Sequence, residues 1–219
     1  MLKLTILPAA GAKPVDECTY NFGVSDPKSF VMLSSILEGV GVSAYLGAAA
    51  DIMSKTYLTD AGSVLTVEAR HTAYVRAALG ESPFPSPFDT PLTIDEVYTL
   101  AAQFIVSCPS TNVKLPVKAF PVLKLGTKGT IKSGDTITLN TPNYILKPVQ
   151  GGTQVYGAFI TILGPIFVDA TAVSGGYSVQ VPEGVNGQTY VVLTGCKDAV
   201  NDNTVAAGPA IVEVTNPTY

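Results

Sequence analysis

Two glutamates and the chain's one histidine are the residues in this sequence best suited to chemistry. Glu68 and His71 are three residues apart, so both side chains lie on one face of a helix. Glu38 lies in the preceding predicted helix, and each carboxylate falls within a stripe of apolar residues. A buried carboxylate is costly unless it is neutral, paired or bound to a metal. Glu38, Glu68 and His71 are therefore candidate metal ligands.

Two interpretations of this cluster stay open. In di-iron and di-manganese bundles, a Glu from each of two helices joins a Glu-x-x-His from each of two others. Glu38 with Glu68 and His71 would be half of that ligand set. Alternatively, Glu38 and His71 form a hydrogen bond inside a bundle, while Glu68 is partly exposed or paired with Arg70 or Arg76. Spacing alone favours the second interpretation, because Glu-x-x-His often arises by chance.

Three helices must position these side chains. Asp26 is a candidate N-cap with Pro27 at the first helical position, and Thr93 with Glu96 fits a capping box. The middle of the first helix is rich in Gly, Ala and Ser, which predicts close approach of a neighbouring helix. The predicted bounds are residues 26–53, 59–79 and 93–108.

The second half of the chain has the alternating pattern of β-strands. Residues 136–139 follow a Lys-Ser-Gly-Asp turn, and Gly175 with Gly176 separates two strand-like runs as a hairpin would. Six or seven strands over residues 113–219 predict an antiparallel β-sandwich. The predicted fold is therefore α+β, with a helical domain over residues 1–112. The β half contains no histidine, which excludes a blue-copper site of the two-His, one-Cys kind.

The cysteines are too few for a disulfide-dense scaffold. Cys18 precedes the first predicted helix, Cys108 ends the third, and Cys196 lies in the β half. This placement predicts a Cys18–Cys108 disulfide that leaves Cys196 free. On the chain-entropy model, closing so long a loop contributes about 4 kcal/mol. Three separate thiols are the alternative, which a cytosolic location would favour.

Composition excludes several classes of protein. Of the 219 residues, 47% are hydrophobic and 14% are charged, which is the reverse of a disordered chain. The net charge of −4 offers no basic surface, so no nucleic-acid partner is expected. Apolar runs free of turn formers and charges fall short of about 18 residues, so no membrane span is predicted. Pro8 interrupts the short apolar run at residues 2–7, which is therefore not a clear signal peptide.

Three stretches carry a resemblance to a known family. They are LEGVGVSAYLGAA at 37–49, LTVEARH at 65–71 and FIVSCP at 104–109. Over residues 9–125 the chain resembles fungal ferritin-like proteins of the stress- and desiccation-response type. The resemblance implies a ferritin-like bundle, an extracellular or cell-surface location and often an appended β domain. It also implies that Glu38, Glu68 and His71 match the second half of the dimetal ligand set.

The chain departs from that family in one respect. Family members carry two further helices upstream, which bring the first Glu and the first Glu-x-x-His, and residues 9–14 resemble the segment that follows those helices. We therefore expect a partial bundle: a truncated form, a gene-model fragment or a natural half-bundle. The missing part would normally carry the secretion signal.

Two functions from different classes follow. The favoured one is a non-enzymatic stress-associated or extracellular structural protein, with a polysaccharide or a protein as partner. The alternative is an iron- or manganese-binding protein with oxidase or catalase-like chemistry. A hydrolase ranks third, because no Gly-x-Ser-x-Gly elbow accompanies His71.

A homodimer or higher oligomer is expected on the same grounds. Two copies of Glu38, Glu68 and His71 would supply four carboxylates and two imidazoles, which is the full ligand set of a dimetal bundle. The site would thus be completed either by dimerisation or by the upstream helices. In the monomeric alternative, the third helix and residues 1–22 fold over the apolar stripe.

Overall fold

The computed structural model describes residues 11, 13–146 and 154–216. The helices within them are α1 (Pro27–Ala48), α2 (Lys55–Ala78) and α3 (Ile94–Ala102), and a 3₁₀ turn at Ala49–Asp51 follows α1. The strands are β1 (Thr19–Tyr20), β2 (Ile105–Ser107), β3 (Lys124–Leu125), β4 (Thr136–Asn140), β5 (Val155–Phe159), β6 (Ile166–Val173), β7 (Gly176–Gln180), β8 (Gly187–Thr194) and β9 (Val205–Val214). The apolar run at residues 2–7 lies outside the described residues.

Side-chain caps determine where the helices begin. The Asp26 carboxylate accepts hydrogen bonds from the backbone N–H groups of Lys28 and Ser29 at 2.9 and 3.0 Å, which confirms Asp26 as the N-cap of α1. The hydrogen bond from Ser29 is the main reason why the pKa of Asp26 is lowered. Ser54 caps α2, which therefore begins at Lys55, four residues before the predicted start.

The third helix is shorter than predicted. Thr93 and Glu96 form the predicted capping box, but the prediction that this helix extends to residue 108 is wrong, because α3 ends at Ala102. Residues 105–107 instead form β2, which pairs with β1. The β-branched pair at 105–106 favours an extended backbone.

The large sheet has the strand order β3-β4-β7-β6-β5-β8-β9, and all neighbouring pairs are antiparallel. β6 is shared: its first five residues pair with β5 and its last three with β7. A parallel bridge between Ile131 and Val214 brings the far ends of the sheet together, so the sheet is nearly barrel-shaped. The antiparallel β domain is confirmed, while the finer description as a two-layer sandwich stays a prediction.

The interior of the sheet is filled by alternate residues of its strands. Ile137 and Leu139 on β4 and Val191 and Leu193 on β8 are fully buried, together with Phe159. This spacing of two is what a half-buried strand requires. The core of the β domain contains no candidate ligand of the metal cluster.

A second apolar core joins the helices to the outer side of the sheet. Val40 of α1 packs there with Leu92, Leu100 and Tyr190. The small residues of α1 serve this junction: Gly39 lies against the side chain of Gln188, and Gly47 lies against the backbone of Leu92. The prediction of a neighbouring helix is therefore wrong for Gly39 and Gly47. It holds for Gly41, which faces Glu68 of α2.

Exposed apolar side chains of α1 lie in its first two turns, whereas residues 33–48 are half-buried or buried. Phe30 and Met32 are 60% and 49% exposed. The segment Pro27–Asp51 has a mean hydropathy of 1.5 over an 18-residue window of which 22% is buried, and it meets the length and composition criteria of a membrane span. Core helices of other proteins meet the same criteria, and α1 carries Glu38 near its middle.

Candidate metal centre

The hairpin of α1 and α2 brings the three predicted ligands together. Glu38 lies midway along α1, and Glu68 and His71 lie on the facing side of α2. One ligand atom from each of the three residues lies within 4.8 Å of the other two. Among the described residues, this is the one group of three or more His, Cys, Asp or Glu side chains that converges so closely.

A hydrogen bond orients the histidine. Nδ1 of His71 lies 3.2 Å from Oε2 of Glu38, and the two side chains are 56% and 28% exposed, respectively. The Nδ1–H group donates to the carboxylate both when the imidazole is neutral in that tautomer and when it is charged. This contact is expected if Glu38 and His71 form only a hydrogen-bonded pair, and it is also compatible with a metal site. The contact alone therefore does not distinguish the two interpretations.

Glu68 is the electrostatically unusual member of the cluster. Its pKa is raised from 4.5 to about 7, first by burial and then by the nearby Glu38 carboxylate, while His71 opposes the rise. At Gly41 a Cβ atom would lie 3.4 Å from the Glu68 carboxyl carbon, so the glycine leaves space beside the carboxylate. A proton therefore occupies Glu68 for much of the time near neutral pH, and a cation would have to displace it.

The expected arginine partners of Glu68 are absent from the site. Arg76 is buried and forms two hydrogen bonds with Glu213 of β9, at 3.0 and 2.7 Å, and it also lies 3.4 Å from Glu81. The suggested pairing of Glu68 with Arg76 is therefore wrong, since that guanidinium is engaged at the junction with the sheet. Arg70 forms no ion pair within residues 13–146 and 154–216.

The donor set suits a transition-metal cation. Two carboxylates and one imidazole are ligands that manganese and iron accept. Without an arginine or lysine against Glu68 among the described ion pairs, its carboxylate has no cation to neutralise it except protonated His71. Three protein ligands leave coordination positions open, so the cluster fits half of a dimetal centre.

The cysteines lie away from this cluster. The structure joins Cys18 to Cys108 by a disulfide, with 4.2 Å between their Cα atoms, and Cys196 is a free thiol. The disulfide fastens the segment before α1 to the segment after α3, beside the two-stranded sheet.

Sequence reasoning missed the polar network that holds α1 against the sheet. The Tyr190 hydroxyl accepts hydrogen bonds from Ser43 Oγ at 3.0 Å and Gln188 Nε2 at 2.9 Å, and it donates to the Gly39 carbonyl at 3.2 Å. Burial raises the pKa of Tyr190 to about 12. Ser43 and Gly39 are 147 and 151 residues from Tyr190 in sequence, so no local spacing could have indicated these two contacts.

Comparison with known proteins agrees with this scaffold. The family model of the ferritin-like domain matches residues 1–81, which include Glu38, Glu68 and His71. Protein rds1 of Schizosaccharomyces pombe (strain 972 / ATCC 24843) is 30% identical over 144 residues, which are 66% of this chain and 34% of that protein. The chain thus spans about a third of the length of that curated relative. The candidate metal ligands therefore lie in a region that matches a ferritin-like domain, and at that level the expected resemblance is confirmed.

Proposed function

We propose that the α1–α2 hairpin binds manganese or iron through Glu38, Glu68 and His71, as one half of a dimetal-carboxylate centre. The convergence of these ligand atoms within 4.8 Å on a ferritin-like scaffold carries the proposal. Ferritin-like bundles use this ligand chemistry, with a Glu and a Glu-x-x-His on paired helices.

The protein's own residues prepare the site for a cation. Glu68 gives up its proton on binding, and its negative charge then faces the cation rather than the second carboxylate. Glu38 holds the imidazole of His71 by the 3.2 Å hydrogen bond, which restricts the ring before a metal arrives. When bound, iron or manganese supplies one-electron redox chemistry, which is the basis for proposing oxidase or catalase-like activity.

The other half of the centre is proposed to come from further helices. Either a second copy of this chain or helices upstream in a longer protein would supply the remaining carboxylates and imidazole. The exposed apolar side chain of Phe30 on α1 supports such a covering partner. Light scattering with and without Mn²⁺ tests the dimer, since the mass should double, and a mass that stays at one chain contradicts that mode of completion.

Calorimetric titration of EDTA-treated protein with Mn²⁺ tests the metal site itself. Glu68→Gln and Glu38→Gln should each weaken binding by about tenfold or more, because each removes one charged ligand. Glu17→Gln is the matched control, since Glu17 is an exposed carboxylate outside the cluster. If the parent chain takes up neither Mn²⁺ nor Fe²⁺, or if the ligand variants bind as well as the control, the proposal is wrong.

A second candidate is a non-enzymatic, stress-associated extracellular or cell-surface protein that binds a polysaccharide or a protein. Two features support it. The Cys18–Cys108 disulfide suits an oxidising compartment. Exposed Phe84 and Phe88 lie beside a cleft of about 440 Å³ between the hairpin and the sheet.

Co-sedimentation with insoluble chitin and β-glucan tests this second candidate. Phe84→Ala combined with Phe88→Ala should abolish retention on the polysaccharide, because aromatic faces supply the contact area. Tyr74→Ala removes an equally exposed aromatic ring outside the cleft and is the matched control. Retention that survives the double substitution would exclude this surface as the binding site.

A further inference from the structure

The cleft between the α1–α2 hairpin and the sheet has a volume of about 440 Å³, which is within the range of small-molecule sites. Apolar side chains of the hairpin form one wall, among them Val42, Ala69 and Ala73. The loop at residues 83–90, the loop between β5 and β6 and the start of β8 form the other walls. None of the three candidate metal ligands lines this cleft, so it is a separate place in the fold.

Two loops place exposed apolar side chains around the cleft. Phe84 and Phe88 on the loop at residues 83–90 are 79% and 59% exposed. Ile162 and Leu163 on the loop between β5 and β6 are 46% and 85% exposed. Single exposed apolar residues are ordinary on a protein surface, but four of them at one cleft form a patch of the kind that marks a binding site.

Hydrogen bonds hold both loops in place. Asn186 Nδ2 donates to the Pro85 carbonyl at 2.9 Å, and Ser86 Oγ donates to the Asn186 carbonyl at 3.0 Å, so the first loop is fastened to the sheet. In the second loop, Thr161 Oγ1 donates to the carbonyl of Gly164 at 2.7 Å. Ordered loops lose little conformational entropy when a ligand binds, so these exposed side chains are prepared for contact.

Most polar side chains that line the cleft already have partners within the protein. The Tyr190 hydroxyl is bonded to Ser43, and Gln188 Nε2 donates both to that hydroxyl and to the Ile36 carbonyl. The Thr72 hydroxyl has no partner, but less than 1 Å² of it is accessible, so a ligand cannot reach it. A sugar inside the cleft would therefore leave hydroxyl groups unpaired, which is costly. The interior favours hydrocarbon.

The charges that line the cleft do not favour a charged ligand. Arg76 is engaged by two hydrogen bonds with Glu213. Arg70 and Asp89 also line the cleft, but both residues are exposed and their charges are opposite in sign. Charge complementarity therefore favours a ligand with an uncharged body, whose head group stays in water.

We propose that this cleft binds the aliphatic chain of a monomeric fatty acid or fatty alcohol, with the head group in water at the mouth. The methylene groups lie against Val42 and Ile160, which are buried beside the cleft. The exposed side chains of the two loops cover the chain from outside. This ligand differs from the polysaccharide of the second candidate function, which would contact only the exposed aromatic rings, and the site is independent of the proposed metal centre.

Calorimetric titration of the full chain with octanoate, decanoate and dodecanoate, each below its micelle concentration, tests the proposal. Affinity should rise about threefold to fourfold for each added methylene, because each is buried in the cleft. Decanol should bind as tightly as decanoate, since the head group stays in water.

Variants locate the binding site. Phe84→Asn combined with Leu163→Asn should weaken decanoate binding by about tenfold or more, and both positions are exposed, so the fold is not threatened. Ala73→Leu, which fills part of the cleft from α2, should also weaken it. Tyr74→Asn removes an equally exposed apolar ring outside the cleft and should bind like the parent chain.

Four results would overturn the proposal. They are absence of binding by all three acids, affinity that does not depend on chain length, variants of the cleft that bind like Tyr74→Asn, and binding of laminarihexaose rather than decanoate in a way that depends on Leu163. The last result would assign the cleft to carbohydrate. Glu68→Gln should bind decanoate normally, because the metal cluster is elsewhere, so failure of the metal proposal leaves this test unaffected.

Discussion

In the β domain, Ile137, Leu139 and Val191 are completely buried inside one sheet, whereas α1 buries only five of its 22 residues. The β domain buries its apolar side chains within its own sheet, and its core contains no candidate ligand. The hairpin of α1 and α2 carries the candidate chemistry, and it depends on contacts outside itself. We infer that the sheet supplies much of the stability of the hairpin, so that its facing side chains can be used for ligands rather than for packing.

Among the contacts between the helices and the sheet, removing Tyr190 should cause the largest loss of stability. Tyr190→Ala should lower the free energy of unfolding by about 3–5 kcal/mol, because a buried aromatic side chain is lost at the junction. Urea denaturation followed by circular dichroism measures it. Tyr74→Ala, where the ring is 79% exposed, should change stability by less than about 0.5 kcal/mol. Similar losses for the two variants would show that the helices do not rely on the sheet.

Removal of the Cys18–Cys108 disulfide should also cause a large loss of stability. The double variant Cys18→Ala/Cys108→Ala frees a loop of 90 residues and should cost about 4 kcal/mol on the chain-entropy model. Thermal unfolding in the absence of reductant measures the loss, and Cys196→Ala is the control. Thiol titration of the denatured, unreduced parent should give one reactive thiol per chain, and three would contradict the pairing.

Loss of the Arg76–Glu213 ion pair, which joins α2 to β9, should lower stability by a smaller amount. Glu213→Gln leaves the buried Arg76 guanidinium without its bidentate partner and should cost about 2–3 kcal/mol. Asp169→Asn breaks the exposed pair with Lys197 and should cost less than about 1 kcal/mol. Equal effects in urea titrations would mean that Arg76 contributes no more to the junction than a surface charge.

The last prediction concerns the pH dependence of stability that Glu68 causes. Its pKa is about 7 in the folded chain and near 4.5 when unfolded. The folded state therefore holds this proton more tightly, and its contribution to stability is complete below pH 4.5 and is lost as pH rises through 7. In metal-free protein, the parent should lose stability relative to Glu68→Gln between pH 5 and 8. A constant difference across that interval would contradict the raised pKa.

Local features of the fold could be predicted from the sequence because their partners lie within a few residues. The caps at Asp26 and Thr93, the spacing of Glu68 and His71 and the alternation of strand β4 are of this kind. The end of α3 was mistaken because apolar helical spacing continued into residues 105–107, where β-sheet pairing with β1 prevails.

Contacts between the regions could not be predicted. Arg76 and Glu213 are 137 residues apart, and Gly39 meets Gln188 across the junction rather than a helix. Glycine-rich spacing indicates that something approaches closely, but it does not identify the neighbour. The sequence predicts the capping role of Glu96, but it does not predict that the second carboxylate oxygen is buried without a hydrogen-bond partner.

The hydrogen bond from the Tyr190 hydroxyl to the Gly39 carbonyl has a mechanical consequence. Gly39 follows Glu38 directly, so the sheet is hydrogen-bonded to the helix at the residue next to the candidate ligand. Sliding or rolling of α1 would break this bond and the bond from Ser43 together. The position of the Glu38 backbone is thus set by the sheet, and adjustment at the cluster is left to side-chain torsions of Glu38 and Glu68 and to movements of α2.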